Sequence, residues 1–406
     1  MTNTNIFFSR RRFAQLLGAG AAGAAVAPGA AIAESVLRSA TGDVAPALTR
    51  IAGANPATSI VRLSSNENPY GPSPAALKAM TGAFGLAWRY PDEHVDVLVE
   101  KLAKLNGVGT NQILPGNGSG EILKVCAAAF TGPSRTAQII PANNAAVLAS
   151  GKLVVADPTF EAIVRHANVS GAQVVKVPLT RDYRHDLAKM LVAAKGAGVV
   201  YICNPNNPTA SITPKDEIRE FLSGAPGETV VLIDEAYHHY VESNDYESAI
   251  PLVKQYPNLI VARTFSKIFG MAGLRCGYCV ARPEVIERLR SHQTWDSVNI
   301  MALAAAVASL NDADQVANGR QLNSETKRYL YGELDALGYH RIPSQANFLM
   351  IDLRRPVGPV IAAMKQRNVE VGRVFPALPN HMRVTIGKRA EMESFLAAFR
   401  QVMSGS

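Results

Sequence analysis

The strongest constraint on this chain is an alternation that begins near Val61, where short apolar runs rich in β-branched residues take turns with longer runs of helical period. Val154–Ala156, Gln173–Val177, Val199–Cys203, Val230–Ile233, Leu259–Ala262 and Cys276–Val280 read as strands, with helices between them. A chain patterned this way forms an α/β fold: a mostly parallel sheet covered by helices on both faces. Such sheets place ligands at the C-terminal ends of their strands, where the loops begin. After the loop around Trp295, the Ala-rich run from Ile300 to Leu310 begins a helical segment that continues to about Leu337. A final α+β unit follows, with strands at Phe348–Leu353 and Met382–Ile386 and a helix at Glu391–Val402. With 406 residues, 48% of them apolar, the chain can bury a large core divided among two or three structural units.

The first residues read as an address. Ser9-Arg10-Arg11-Arg12-Phe13 precedes an Ala/Gly-rich stretch from Leu16 to Ala33 that ends in the small-x-small signal Ala31-Ile32-Ala33. This resembles a twin-arginine export signal over residues 1–33, with cleavage near Ala33. Gly18, Gly20, Gly23, Pro28 and Gly29 break the stretch, so no stable membrane anchor is expected. Twin-arginine export carries folded proteins, which places the mature chain in the periplasm or outside the cell. Residues 34–60, rich in Ala, Thr, Ser and Gly without a clear period, read as a linker or N-terminal arm.

Several function classes drop out. Removing Arg10, Arg11 and Arg12 with the signal lowers the formal charge from +8 to +5. The remaining Lys and Arg are scattered, with no basic stripe interleaved with aromatics, so no nucleic-acid partner is expected. Cys126, Cys203, Cys276 and Cys279 are too few and dispersed for a disulfide framework. Cys276 and Cys279 form a C-x-x-C on a strand, where positions three apart face opposite ways, so they read as packed thiols and not a redox pair. No histidine spacing matches a metal site, and none is expected.

Three segments carry chemistry. Gly116-Asn117-Gly118-Ser119-Gly120-Glu121 opens a helical run, Ile122 to Phe130, and so presents free backbone N–H groups to an anion. Alone it is equally a plain helix cap. Val231-Leu232-Ile233-Asp234-Glu235-Ala236-Tyr237 is an apolar strand tipped by a carboxylate and, three residues on, a phenol. The neighbouring strand ends in Asn204-Pro205-Asn206-Asn207-Pro208-Thr209, a turn stiffened by two prolines. Arg263-Thr264-Phe265-Ser266-Lys267, continuing to Gly273-Leu274-Arg275, sets hydroxyls, a lysine and an arginine in an apolar, glycine-broken segment. A lysine there is partly desolvated, which lowers its pKa and frees the amine for imine formation.

Together these segments resemble the fold type I pyridoxal-phosphate enzymes, and among them the histidinol-phosphate aminotransferase branch of the class I/II aminotransferases. The resemblance runs from Leu63 to about Phe399. It includes Asn66-Glu67-Asn68-Pro69-Tyr70-Gly71-Pro72, Arg89-Tyr90-Pro91-Asp92, Asp157-Pro158-Thr159-Phe160, Ala346-Asn347-Phe348 and Met382-Arg383-Val384-Thr385-Ile386-Gly387. It implies a large cofactor-binding domain over residues 86–298 and a smaller α+β domain built from residues 61–85 and 299–406. It also implies that Lys267 holds the cofactor as a Schiff base and shuttles the substrate proton. Asp234 would pair with the pyridine nitrogen, Asn207 and Tyr237 with the ring hydroxyl oxygen, and Phe160 would stack on the ring. Ser119 and Gly120 would hold the phosphate on their N–H groups, with Thr264, Ser266 and Arg275 completing the cup. By the same resemblance, Tyr90 reaches the phosphate in the partner subunit of a homodimer. Arg383 clamps the substrate's anionic group, and Arg373 matches a second arginine.

Four departures bear on substrate. Gly120 stands where the family commonly has Asp, Ala210 where the turn usually has Gly, and Ile163 where a tyrosine is frequent. Between Gly132 and Asp157 the chain carries roughly fifteen residues more than the family's short connection. Export also separates the enzyme from histidinol phosphate, a cytoplasmic intermediate. The expected reaction is transamination between an amino acid or amino-alcohol phosphate and a 2-oxo acid. The alternatives are a decarboxylase or lyase using the same cofactor, or a non-catalytic ligand-binding homologue.

Overall fold

The computed structural model describes residues 60–133 and 151–405. The export signal and most of the arm expected from the sequence, and most of the added segment before Asp157, lie outside the described residues. Twelve strands are present among them: β1 (Val61–Arg62), β2 (Ile113–Gly116), β3 (Lys152–Asp157), β4 (Val174–Pro178), β5 (Ala197–Cys203), β6 (Val230–Asp234), β7 (Leu259–Thr264), β8 (Gly277–Val280), β9 (Arg341–Ile342), β10 (Phe348–Asp352), β11 (Val369–Glu370) and β12 (His381–Thr385). The helices are α1 (Pro74–Gly82), α2 (Asp92–Asn106), α3 (Ser119–Phe130), α4 (Ala162–Val169), α5 (Leu187–Ala194), α6 (Lys215–Gly224), α7 (Pro283–Arg290), α8 (Ile300–Asn311), α9 (Ala313–Ala336), α10 (Val357–Gln366) and α11 (Arg389–Ser404).

The large sheet has the order β2-β8-β7-β6-β5-β3-β4. Its pairs from β4 across to β7 are parallel, and β8 runs antiparallel to both β7 and β2. This is the mostly parallel, doubly covered sheet that the alternation predicts. Alternate residues of each central strand enter opposite cores. Val200, Ile202, Val231 and Ile233 pack into one, and Val199, Tyr201, Cys203, Val230 and Leu232 into the other. Strands buried on both faces read as continuous apolar runs, and β5 and β6 are buried at every position.

The two cysteines of the C-x-x-C lie apart: Cys276, just before β8, packs in the first core and Cys279, on β8, in the second. Strand β2 is absent from the sequence reading for a physical reason. It is four residues long and contains Pro115, a residue tolerated only at a sheet edge, where β2 lies.

A third core gathers Leu63, the far half of α9, and α10 and α11 against the small antiparallel sheet β12-β10-β9. Strand β1 pairs in parallel with β11, and Thr385 donates its N–H to Leu63 O at 2.9 Å, which sews the start of the described chain to its end. Ala76 of α1 and Ala302, Leu303, Ala305 and Ala306 of α8 instead pack beneath the large sheet. Alanines let these two helices approach each other and the sheet closely. Among the described residues, no helix is long and apolar enough to cross a membrane.

Candidate active site

The C-terminal ends of β5, β6 and β7 deliver the sequence-predicted residues to one place. Asp234 ends β6, opposite Cys203 at the end of β5. The carboxylate is buried, and its two oxygens take different donors: Tyr201 Oη donates to Oδ2 at 2.9 Å and the Ala236 N–H to Oδ1 at 3.1 Å. Burial raises the Asp234 pKa from its ordinary value to about 6, against the pull of Tyr201, the Ala236 N–H and Lys267.

Lys267 lies three residues beyond the end of β7. Its Nζ donates to Asn66 O at 3.0 Å and lies 5.4 Å from the centre of the Tyr237 ring. Desolvation, followed by the nearby Arg383 guanidinium, lowers its pKa to about 8, so a free amine is accessible near neutral pH.

Tyr237 is buried, and its hydroxyl accepts from Asn66 Nδ2 at 3.1 Å and from Asn207 Nδ2 at 3.5 Å. Asn207 also accepts, through Oδ1, from Arg383 Nη1 at 2.7 Å. Arg383 projects from β12 between the Phe348 and Phe375 rings, donates Nη2 to Ser64 O, and leaves its buried Nε without a partner. A buried cation with a spare donor is a waiting site for an anionic group.

Gly118, at φ 71°, leads into α3, whose first turn has no side-chain cap. The N–H groups of Ser119 and Gly120 therefore point out of the helix end without intrahelical partners. A Cβ at Gly118 would lie 2.1 Å from Arg275 Nη2, and one at Gly277 would lie 2.4 Å from the Ser119 nitrogen, so glycine alone permits this cradle. Arg275 Nη1 donates to Ser266 Oγ at 3.1 Å, and Thr264 Oγ1 accepts from the Ser266 N–H at 3.0 Å. Backbone donors, hydroxyls and a guanidinium thus converge as a phosphate monoester requires, close to a desolvated lysine and a buried carboxylate. The donor set fits pyridoxal phosphate.

The remaining sequence-predicted residues lie at the rim. Phe160, on the loop after β3, is 39% exposed and Tyr90, just before α2, is 81% exposed. Arg373 sits over the Phe375 ring and pairs with Glu161 at 2.7 Å, which joins the β11–β12 loop to the residue beside Phe160. The sequence reading assigned no roles to Asn66, Ser64, Tyr201 or Glu161. The left-handed backbone at Asn66, φ 56°, and its burial between Tyr237 and Thr385 depend on contacts 171 and 319 residues away, so local pattern carried no signal. Tyr201 did leave one, as a hydroxyl in an otherwise apolar strand.

The sequence profile of the family described as aminotransferase class I and II matches residues 58–399. The histidinol-phosphate aminotransferase of Moorella thermoacetica is 39% identical over 349 residues, which cover 85% of this chain and 86% of the relative. That of Symbiobacterium thermophilum is 38% identical over 346 residues, 85% of this chain and 91% of the relative. Among solved structures, histidinol-phosphate aminotransferase from Sinorhizobium meliloti in complex with pyridoxal-5'-phosphate is similar with a TM-score of 0.75 and 27% identity, over 89% of this chain and 94% of its own.

Proposed function

The chain belongs to the aminotransferase class I and II family and is a pyridoxal-phosphate-dependent transaminase, and from that premise we propose how its own residues divide the work. Bound pyridoxal phosphate supplies an electron sink for the pair released at the substrate's Cα. Lys267 would attach the cofactor, and its Nζ, with a lowered pKa, would carry the substrate's Cα proton. Asp234 stays ionised opposite the ring nitrogen and holds a proton there. Asn207 and Tyr237 steady the ring's hydroxyl oxygen, and Phe160 covers its face.

The N–H groups of Ser119 and Gly120, with Thr264, Ser266 and Arg275, anchor the phosphate. Arg383 orients the donor through its free Nε. The donor is an amino acid or an amino-alcohol phosphate of the histidinol-phosphate kind, and the acceptor is a 2-oxo acid. The observation that carries this assignment is the placement of Lys267 Nζ, 3.0 Å from Asn66 O and beside the Tyr237 ring, with the buried Asp234 carboxylate among the charges that act on it.

The enzyme works as a homodimer in which Tyr90 reaches the neighbouring subunit's cofactor phosphate. The support is the exposure of two large aromatic side chains, Trp88 at 78% and Tyr90 at 81%. It is exported folded through the twin-arginine machinery and acts in the periplasm or outside the cell, on the evidence of Arg10-Arg11-Arg12 and Ala31-Ile32-Ala33. The mass of the mature N-terminus in a periplasmic fraction checks the export.

The activity is tested by recording the absorption of the bound cofactor while amino donors, histidinol phosphate among them, are added singly. Conversion to the pyridoxamine form, reversed by a 2-oxo acid, identifies the donor. Release of carbon dioxide or of a β-substituent without that conversion contradicts transamination.

A further inference from the structure

We propose that Tyr201 is a positioning residue whose hydroxyl fixes and keeps ionised the Asp234 carboxylate that faces the cofactor's ring nitrogen. The inference rests on the cofactor role given to Asp234 above. It starts from strand register. In the parallel pair β5–β6, Tyr201 lies opposite Leu232 and Cys203 opposite Asp234. Tyr201, Cys203 and Leu232 enter the same core, and Asp234, two residues beyond Leu232, faces that side too. A phenol is long enough to span the two-residue offset along the strand, and its hydroxyl reaches Asp234 Oδ2 at 2.9 Å.

Tyr201 is wholly buried among apolar side chains. A hydroxyl in such surroundings is costly unless it is hydrogen-bonded, and a carboxylate more so. Each group therefore satisfies the other, while the Ala236 N–H takes the second oxygen and holds the plane of the carboxylate. The charged and titratable groups around Asp234 come from four segments: Tyr201 and Cys203 from β5, Glu235 and Tyr237 from its own strand end, Tyr246 from the loop that follows, and Lys267 from beyond β7. Lys267 and the Tyr201 hydroxyl favour the anion, and Glu235 and burial oppose it. Lys267 changes its bonding during turnover. Tyr201 does not, which makes it the constant donor to a group that must stay charged.

Tyr201→Phe removes the hydroxyl and keeps the ring. The full chain and this variant are titrated with pyridoxal phosphate between about pH 5 and pH 8, with Asp234→Asn alongside. The cofactor's own ionisations are common to all three proteins, so differences between their profiles belong to the protein. The acid limb of affinity in Tyr201→Phe is expected to move about one unit to higher pH, with binding about tenfold weaker below the midpoint, as for loss of a hydrogen bond to a charged group. Replacement of Tyr201 by 3-fluorotyrosine, a stronger donor, is expected to move the limb the other way, and it decides the matter if the Phe variant does not fold. Coincident profiles for the wild type and the altered Tyr201 proteins, with Asp234→Asn impaired, overturn the role of Tyr201 alone. An unimpaired Asp234→Asn instead overturns the underlying assignment of Asp234, and this inference with it.

Discussion

The floor of the site and its rim are built in different ways. At the floor, Asp234, Tyr201, Tyr237 and Asn207 are buried, and Asp234 and Tyr237 each take two hydrogen bonds from residues fixed by strand ends. At the rim, Arg373 and Glu161 face each other with side chains 51% and 40% exposed, and Phe160 projects from a loop. Buried polar groups cannot move without losing partners that water does not replace, whereas an exposed ion pair contributes little and exchanges easily. The floor therefore commits the enzyme to its chemistry, and the rim is where substrate choice can change at low cost. Arg383 bridges the two. It is anchored like the floor, to Asn207 and Ser64, yet its buried Nε has no partner.

Substitutions separate the two regions by the size of their effects. Lys267→Ala is expected to lower turnover at least about a thousandfold in steady-state assays, because attachment of the cofactor and the proton carrier vanish together. Arg383→Met should reduce kcat/KM for anionic donors about ten- to hundredfold, as lost charge-assisted hydrogen bonds do. It should also affect the floor. Because the Arg383 cation helps hold the Lys267 pKa near 8, its removal should shift the pH midpoint for loading pyridoxal phosphate to higher values, measured by absorbance in stopped flow.

Asp234→Asn should raise the melting temperature of the cofactor-free protein by a few degrees at neutral pH. The folded-state pKa of Asp234, about 6, exceeds the ordinary 3.8. The stability contributed by the bound proton is thus complete below the ordinary value and lost as pH rises through about 6. The gain from Asn should accordingly fade below about pH 4, as a pH series of melts would reveal. The smallest effect belongs to the rim. Glu161→Gln should strengthen binding of a phosphate-bearing donor by at most about fivefold, since it releases Arg373 from a half-exposed pair. A change of hundredfold there would mean that Arg373 and Glu161 belong with the floor.

The same contrast governs what could be read from the sequence. Strands β5, β6 and β7 announce themselves as apolar runs, and residues at strand tips inherit their position from the sheet, so Asp234, Asn207 and Lys267 were legible. The helix-start glycines were legible as a helix opening with free N–H groups, and only the resemblance to the family made them a phosphate cradle. Asn66 and Ser64 were not, because their roles come from a chain start sewn to β12 by bonds spanning about three hundred residues. The pairing of Arg373 with Glu161 joins residues 212 apart and likewise has no local signature. Strand β2 escaped because Pro115 masks a four-residue edge strand.

Whether Lys267 carries the cofactor is asked most directly by its covalent capture. The holoenzyme is treated with borohydride and digested, and the peptides are mapped by mass spectrometry. A phosphopyridoxyl adduct is expected on the peptide containing Ser266-Lys267-Ile268. An adduct confined to another lysine, or none in protein that retains the cofactor's absorption, would contradict that role for Lys267.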